Sequence, residues 1–396
     1  MCIRDSSYLD IDAGVLYRPF ETLSEGERTK TMLAALFLNE GHFLLIDEPT
    51  NHLDTSAREM VAAYLKKKKG FILVSHDRRF LDGCADHILS LNRTDIEIQS
   101  GNFSSFMRNF EMRQESEAAQ NERLKKDIDR LNQSARQSSS WSAHAEASKF
   151  GTHPPDRGFI GHKAAKMMKR SKNIEARREQ AAEEKSKLLK NVEKAEKLKI
   201  SPLTHHAGTL VSFSSVSPCY DGKAVCSPVS FSIMQGDRIV LDGKNGSGKS
   251  SLLKLLADKS SAALSYTGDI SAASGLVISY VPQDTSHLCG RLSDYASECK
   301  VDETLFKTIL RKMDFERGQF EKDIRNFSSG QKKKVLIARS LCEQAHLYIW
   351  DEPLNFIDVY SRMQIETLIC EFAPTMLFVE HDGAFREKIA TKKVVL

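Results

Sequence analysis

One passage of this chain is written twice. The string LSEGE at Leu23–Glu27 is followed by FLLIDEPTNHLD at Phe43–Asp54 and by LVSHD at Leu73–Asp77. Far downstream FSSGQ at Phe327–Gln331 is followed by LYIWDEPLNFID at Leu347–Asp358 and by FVEHD at Phe378–Asp382. Ser24 to Asp47 and Ser328 to Asp351 each span 23 residues; Asp54 and Asp358 lie 304 apart, His76 and His381 305 apart. Two loops and the helix between them have kept register almost to the residue. The fold must therefore accommodate two copies of one module.

Length and composition set the frame around that repeat. The chain has 396 residues, 41% hydrophobic and 28% charged, enough for two or three domains and unlike a mostly disordered chain. Its apolar runs, such as Phe43–Ile46 and Phe71–Val74, fall far short of the ~20 residues that cross a bilayer. Met1–Ser6 carries charges and leads into no apolar stretch, so no secretory leader is expected. The eight cysteines (2, 84, 219, 226, 289, 299, 342, 370) form no C-x-x-C pair, which argues against zinc and fits thiols kept reduced in a cytoplasm.

Net charge is only +4 but unevenly placed: residues 111–200 hold 21 Lys+Arg against 14 Asp+Glu. Most of that stretch reads as solvated helix faces. Within it, Arg157, Lys163, Lys166, Lys169, Arg170 and Lys172 are opposed by Asp156 alone, a patch that would attract nucleic-acid phosphates in a salt-dependent way. Residues 105–149 are rich in Glu, Gln, Lys, Arg and Ala with no proline or internal glycine, which predicts helix. Gly151-Thr-His-Pro154-Pro155 breaks it. A second helix is expected from about Gly161 to Leu198, and two helices joined by a short break make an antiparallel hairpin. The expected domains are 1–104, the C-terminal half of a first module; 105–205, the charged helical hairpin; and 206–396, a second module.

Gly243-Lys-Asn-Gly-Ser-Gly-Lys-Ser250 fits the phosphate-binding pattern G-x-x-x-x-G-K-[ST], behind the apolar strand 238–241 and ahead of the helix 251–256. Gly243, Asn245, Gly246 and Gly248 let backbone N–H groups surround a phosphate, and the helix N-terminus adds partial positive charge. Lys249 would reach the β and γ oxygens, Ser250 would hold Mg²⁺, and Ser251 completes the cradle. Asp351, ending an apolar strand, is placed for the Mg²⁺ shell, and Glu352 for polarising an attacking water. His381 and His76 each follow an apolar strand and are candidates to sense the γ-phosphate. Gln283, after the strand 277–281, is a candidate Mg²⁺ and water contact. Tyr220 would either stack on adenine or fill a β-hairpin.

This set of motifs resembles the ATP-binding-cassette (ABC) ATPases, with LSEGE and FSSGQ similar to the family's signature loop. Two cassettes joined by a charged helical hairpin, with DEPTNHLD in the first, look like the ABC-F subfamily. DEPLNFID and the segment DRGFIGHKAAKMMKRSKNIE at 156–175 are most similar to its Lsa/Vga-type antibiotic-resistance branch. The resemblance implies α/β phosphate-loop cassettes that close on ATP and Mg²⁺ within a single monomeric chain. Ser24, Gly26 and Glu27 of one cassette would cap the ATP held by the other. It implies a cytoplasmic ATP hydrolase that binds the ribosome, touching rRNA and tRNA through the hairpin, with no membrane partner. The break at 150–158 would approach the peptidyl-transferase centre and dislodge lincosamides, pleuromutilins and streptogramin A. A housekeeping translation factor of the same subfamily is the alternative. A transporter motor subunit and a coiled-coil chromosome-maintenance ATPase fit the placement of the hairpin less well.

Two departures stand out. From Ala207 to Ser328 the second module has 122 residues, whereas only 23 precede Ser24. A truncated start lacking the first phosphate loop is therefore expected, with a shortened end at Leu396, which aligns with Leu91. A glycine of the signature is replaced by Glu25 in one copy and Ser329 in the other; Glu25 is expected to point away from the nucleotide.

Overall fold

The computed structural model describes residues 8–38, 42–51, 53–91, 96–147, 198–257 and 264–396. The chain divides into two units, Met1–Ser104 with Ala195–Leu396, and Ser105–Lys194. In the first half, helix α1 (Glu25–Leu36) leads to strand β1 (Leu44–Asp47), α2 (Thr55–Leu65), β2 (Phe71–Val74), α3 (Arg78–Cys84) and the hairpin β3 (His87–Leu91) with β4 (Ile96–Ser100). Helix α4 then runs from Phe103 to Ala147, starting two residues before the expected position. The break at 150–158, the basic residues Arg157 to Lys172 and the second hairpin helix lie outside the described residues. That second helix was expected to reach Leu198. Leu198 is instead non-helical and packs with Ile200 into the core of the second half, where Leu203 N–H donates to Ala345 O.

The second half opens with β5 (Thr209–Tyr220), β6 (Lys223–Ala224), β7 (Val229–Met234), β8 (Arg238–Asp242), α5 (Lys249–Ala257), β9 (Leu264–Ala272) and β10 (Ile278–Val281). Helices α6 (Leu292–Glu298), α7 (Glu303–Lys312) and α8 (Ser329–Cys342) follow, then β11 (Leu347–Asp351), α9 (Val359–Phe372), β12 (Met376–Val379), α10 (Gly383–Ile389) and β13 (Lys392–Val395). The central sheet is parallel, in the order β10-β11-β12-β8-β13. An antiparallel sheet of β6-β5-β7, with β9 on β5, stands apart from it.

Strand β11 explains why the sequence there is continuously apolar. Tyr348 and Trp350 face a core shared with α6 to α9, while Leu347 and Ile349 face one shared with Leu252, Leu253 and Leu210. A parallel strand covered on both sides needs no polar alternation. The repeat position in the first half behaves differently: Leu44 and Ile46 are buried but Leu45 is 74% exposed, against 0% for Ile349. Strands β1 and β2 pair only with each other among the described residues, and the face that carries Leu45, Ile72 and Val74 is exposed.

The invariant-looking aspartates of the repeat have structural work to do. Asp54 and Asp358 cap α2 and α9, accepting from Ala57 N–H and Ser361 N–H at 2.9 and 2.8 Å. Asp77 and Asp382 cap α3 and α10, accepting from Phe80 and Phe385 N–H, each at 3.0 Å. Caps of this type stabilise a helix end by about 1 kcal/mol.

Gly330, in the first turn of α8, is required by close approach. A Cβ there would sit 2.3 Å from Phe356 O, a backbone atom that cannot swing aside. Alanine gains about 1 kcal/mol in a helix interior, but overpacking of this kind costs about 1–3 kcal/mol. We expect Gly330→Ala to lower the thermal midpoint by a few degrees; a raised midpoint would show that the loop beyond β11 yields freely.

Candidate functional site

Strand β8 ends at Asp242 and hands the chain to the glycine loop. Gly248 has φ +90°, and a Cβ there would stand 3.1 Å from Val225 Cγ1, so only glycine lets the loop curl under the hairpin strands. Lys249 is 6% exposed, and its ammonium donates to Gly243 O at 2.8 Å and Lys244 O at 2.9 Å. Burial lowers its pKa, while the charges of Glu352, Asp242, Asp54 and Asp351 pull the other way. The ammonium is thus held inside the loop by its own carbonyls and by a surround of carboxylates.

Strand β11 delivers Asp351 to the same place. Ser250 Oγ donates to Asp351 Oδ1 at 3.1 Å. Asp351 is fully buried, and its Oδ2 is a buried atom with no hydrogen-bond partner. Burial drives its pKa up to about 6. A buried carboxylate oxygen left unsatisfied beside a hydroxyl is a donor set that fits a hard divalent cation, so Ser250 and Asp351 suit Mg²⁺.

Glu352 is the hub of the site. It takes a left-handed backbone conformation, φ +46°, which turns its side chain off the strand line. Gln283 Nε2 donates to its Oε2 at 2.9 Å, Asn355 Nδ2 to the same oxygen at 2.7 Å, and His381 Nε2 stands 3.3 Å from its Oε1. Burial opposes the charged form, but the His381 contact, Asn355 and Lys333 outweigh it and leave the carboxyl below its ordinary range. The sequence named Glu352, His381 and Gln283 for separate tasks, and the fold brings them into contact. Sequence reasoning missed Asn355, although Asn51 at the same repeat position was a signal that could have found it.

The first half builds part of the same arrangement. Glu48 also has a positive φ, +45°, and His76 Nε2 lies 3.6 Å from its Oε1. Burial raises Glu48 to about 7, in contrast to the depressed Glu352. Burial lowers the pKa of His76, and charges from the second half, Arg362, Asp358 and Lys334, act on it as well.

Contacts between the halves are specific. Arg78 donates to Glu366, which is fully buried, with Arg78 Nη1 at 3.3 Å from Oε2. Arg386 Nη1 donates to Thr55 Oγ1 at 3.0 Å. The two half-sites are therefore packed against one another, and Asp54 is near enough to act on Lys249.

The other expected residues are found as follows. Tyr220 ends β5 and pairs with Lys223 in a hairpin; its hydroxyl accepts from Ser251 Oγ at 3.4 Å. It is therefore a hairpin residue that also borders the cradle. Ser24 caps α1 in a reciprocal box with Glu27: Ser24 N–H donates to Glu27 Oε2 at 2.8 Å, and Glu27 N–H to Ser24 Oγ at 3.3 Å. The Glu27 carboxylate is thereby folded back on its own helix. Ser328 and Gln331 repeat the device on α8. Gly26 lies in the first turn of α1 and Glu25 beside it is exposed. Gly243, Gly246 and Gly248 all take positive φ, and Asn245 is exposed between them.

Among the described residues no helix is long and apolar enough to cross a membrane. The family described as "ABC transporter" matches residues 226–355. Among curated proteins the chain is similar to the ribosome protection protein VmlR of Bacillus subtilis, 29% identical over 96% of this chain and 69% of that protein. It is 28% identical to the putative ATP-binding protein YdiF of the same species, over 95% of this chain and 55% of the relative. The probable ATP-binding protein YheS of Escherichia coli K12 is also 28% identical, over 93% and 54%. The chain thus spans little more than half the length of most of these relatives. Among solved structures, archaeal ribosome recycling factor aABCE1, in complex with the stalk protein aP1, matches 99% of this chain and 65% of that one, with TM-score 0.62 and 20% identity. The structure called RNase-L Inhibitor matches at TM-score 0.60 and 19% identity, over 99% and 65%. With these motifs on this fold, the chain carries an ABC ATPase domain, an ATP-hydrolysing module with the α/β phosphate-loop architecture, and it is similar along most of its length to ATP-binding proteins and to a ribosome protection protein.

Proposed function

We propose that this chain is an ABC-F ATPase that binds the ribosome in its ATP-closed state. There it protects the peptidyl-transferase centre from lincosamides, pleuromutilins and streptogramin A. The observation that carries the hydrolytic part is the cluster of Glu352, Gln283, Asn355 and His381 beside the Lys249 cradle. The ribosomal part is supported by likeness to a ribosome protection protein along nearly the whole chain.

ATP would lie on residues Gly243–Ser251, with Lys249 leaving its carbonyl partners for the β and γ oxygens. Tyr220 would border the base, and Ser24, Gly26 and Glu27 of the first half would close over the phosphates. Ser250, Asp351 and Gln283 would hold Mg²⁺, which when bound neutralises phosphate charge. Glu352, kept ionised, accepts the proton of the attacking water; Gln283 and Asn355 fix its carboxylate, and His381 faces the γ-phosphate. Closure would present residues 105–205 to the ribosome, with Arg157, Lys163, Lys166, Lys169, Arg170 and Lys172 on rRNA and tRNA phosphates. This activity belongs in the cytoplasm, with one chain supplying both cassettes.

Co-sedimentation with ribosomes tests the proposal. The Glu352→Gln chain with ATP is expected to pellet with 70S particles and to release as salt is raised; failure to pellet at low salt ends the ribosomal reading. Drug tolerance separates protection from general translation-factor duty, because only a protector raises the tolerated lincosamide concentration in cells expressing it.

A further inference from the structure

The two copies differ at two positions that touch each other. In the first half, Thr50 Oγ1 and Ser75 Oγ approach to 3.4 Å, and Ser75 Oγ also accepts from Asp77 N–H at 3.2 Å. This hydroxyl pair links the loop after β1 to the loop after β2. At the matching places the second half has Leu354 and Glu380. Leucine has no hydroxyl to offer, so a short serine could not make the same link.

Glu380 makes it in another way. Its side chain is almost wholly buried, at 3% exposure. Oε2 accepts from Leu354 N–H at 3.2 Å, and Oε1 accepts from His381 N–H at 2.9 Å, with Asp382 N–H at 3.5 Å. Charged groups facing it are Arg362 from α9, with Asp382 and His381 from its own loop, and Lys333 from α8. The two loops it joins each carry part of the site. Leu354 lies between Glu352 and Asn355, which hold each other at 2.7 Å, and His381 stands 3.3 Å from Glu352 on the opposite side.

We infer that Glu380 is a positioning residue for hydrolysis in this cassette, tying the loop 353–358 to the loop of His381 and so fixing the Glu352–His381 gap. It replaces, with one long carboxylate on backbone donors, what Thr50 and Ser75 do with two hydroxyls. The inference rests on the hydrolytic reading of Glu352 and His381 given above. A displacement of about 1 Å in such a gap is enough to slow a reaction severely, whereas Lys249 and the glycine loop are untouched by Glu380.

The test uses the full chain and two readouts, steady-state ATP turnover and amide hydrogen exchange over peptides covering Leu354 and His381. In Glu380→Ser, kcat is expected to fall about tenfold with KM for ATP within about threefold, and exchange is expected to quicken in both loops together. The double variant Glu380→Ser with Leu354→Thr rebuilds the hydroxyl pair and is expected to recover most of the lost kcat and protection. Glu380→Gln, which keeps size and one acceptor, is expected to fall between. Unchanged exchange at Leu354 in the serine variant overturns the tie, as does a double variant no better than the single. If Glu380→Ser does not fold, the glutamine variant decides by the same exchange readout. A parent chain without ATP turnover would fault the hydrolytic reading, while the exchange data would still decide the tie.

Discussion

Glu352→Gln is expected to cut ATP turnover by two to three orders of magnitude while leaving ATP binding within about threefold of the parent. A positioned general base contributes about 10²–10⁴-fold, and the proposed function gives that task to Glu352. It is held below the ordinary glutamate value of 4.5 because His381 and Asn355 outweigh its burial. A carboxyl with a depressed pKa stays charged until the pH falls through that lowered value. The acid limb of turnover, where set by this group, should therefore lie below the usual glutamate range. Glutamine keeps the volume and one carbonyl to accept from Asn355 or Gln283, so the cradle around Lys249 should persist. Phosphate release under saturating ATP, paired with nucleotide binding by equilibrium dialysis, checks both halves of the expectation. A variant retaining more than about a tenth of the parent rate would remove Glu352 from the role of base.

Much of this arrangement was legible in the sequence, because the repeat supplied a second witness for the Asp-Glu strand ends and for the histidines after β2 and β12. The glycine loop occurs once in this chain and was legible from its own pattern between strand and helix. What stayed hidden depends on contacts that no local spacing encodes. Arg78 meets Glu366 across 288 positions of sequence, and its repeat partner is Gly383, which gives no hint of the pairing. Glu380 was readable only as a departure from Ser75, and its meaning required the geometry of Leu354 N–H. The sequence predicts helix as far as Leu198, ahead of Ser201-Pro202, but burial of Leu198 in the core of the second half overrides that propensity. Tyr220 left two readings open in sequence; pairing with Lys223 and contact with Ser251 Oγ draw on both.

The repeat also kept one feature whose worth is structural, and it supports the largest stability change we expect. Arg58 donates to Asp77 at 2.8 Å and to Leu53 O at 3.0 Å. Arg362 donates to Asp382 at 3.0 Å and to Ile357 O at 2.9 Å. Both members of the second pair are buried, at 7% and 1% side-chain exposure, and Arg362 also faces the buried Glu380. Removing one partner of such a pair leaves an uncompensated charge and costs about 3–5 kcal/mol, a large share of the roughly 5–15 kcal/mol that holds a domain folded. Arg362→Ala removes the nearer cation from Asp382, which keeps only Arg78 at 3.9 Å, and takes away a charge that faces Glu380, so its cost should fall in that range and lower the thermal midpoint by about 10 °C. Deleting the pair should hurt less than breaking it. Arg362→Met with Asp382→Asn keeps the side-chain oxygen that caps α10 through Phe385 N–H and takes away one stranded charge, so it should regain a substantial part of the lost midpoint. Thermal unfolding of parent, single and double variants decides the matter: equal midpoints for Arg362→Ala and the double would mean that the arginine acts through its bond to Ile357 O and its packing, not through its charge.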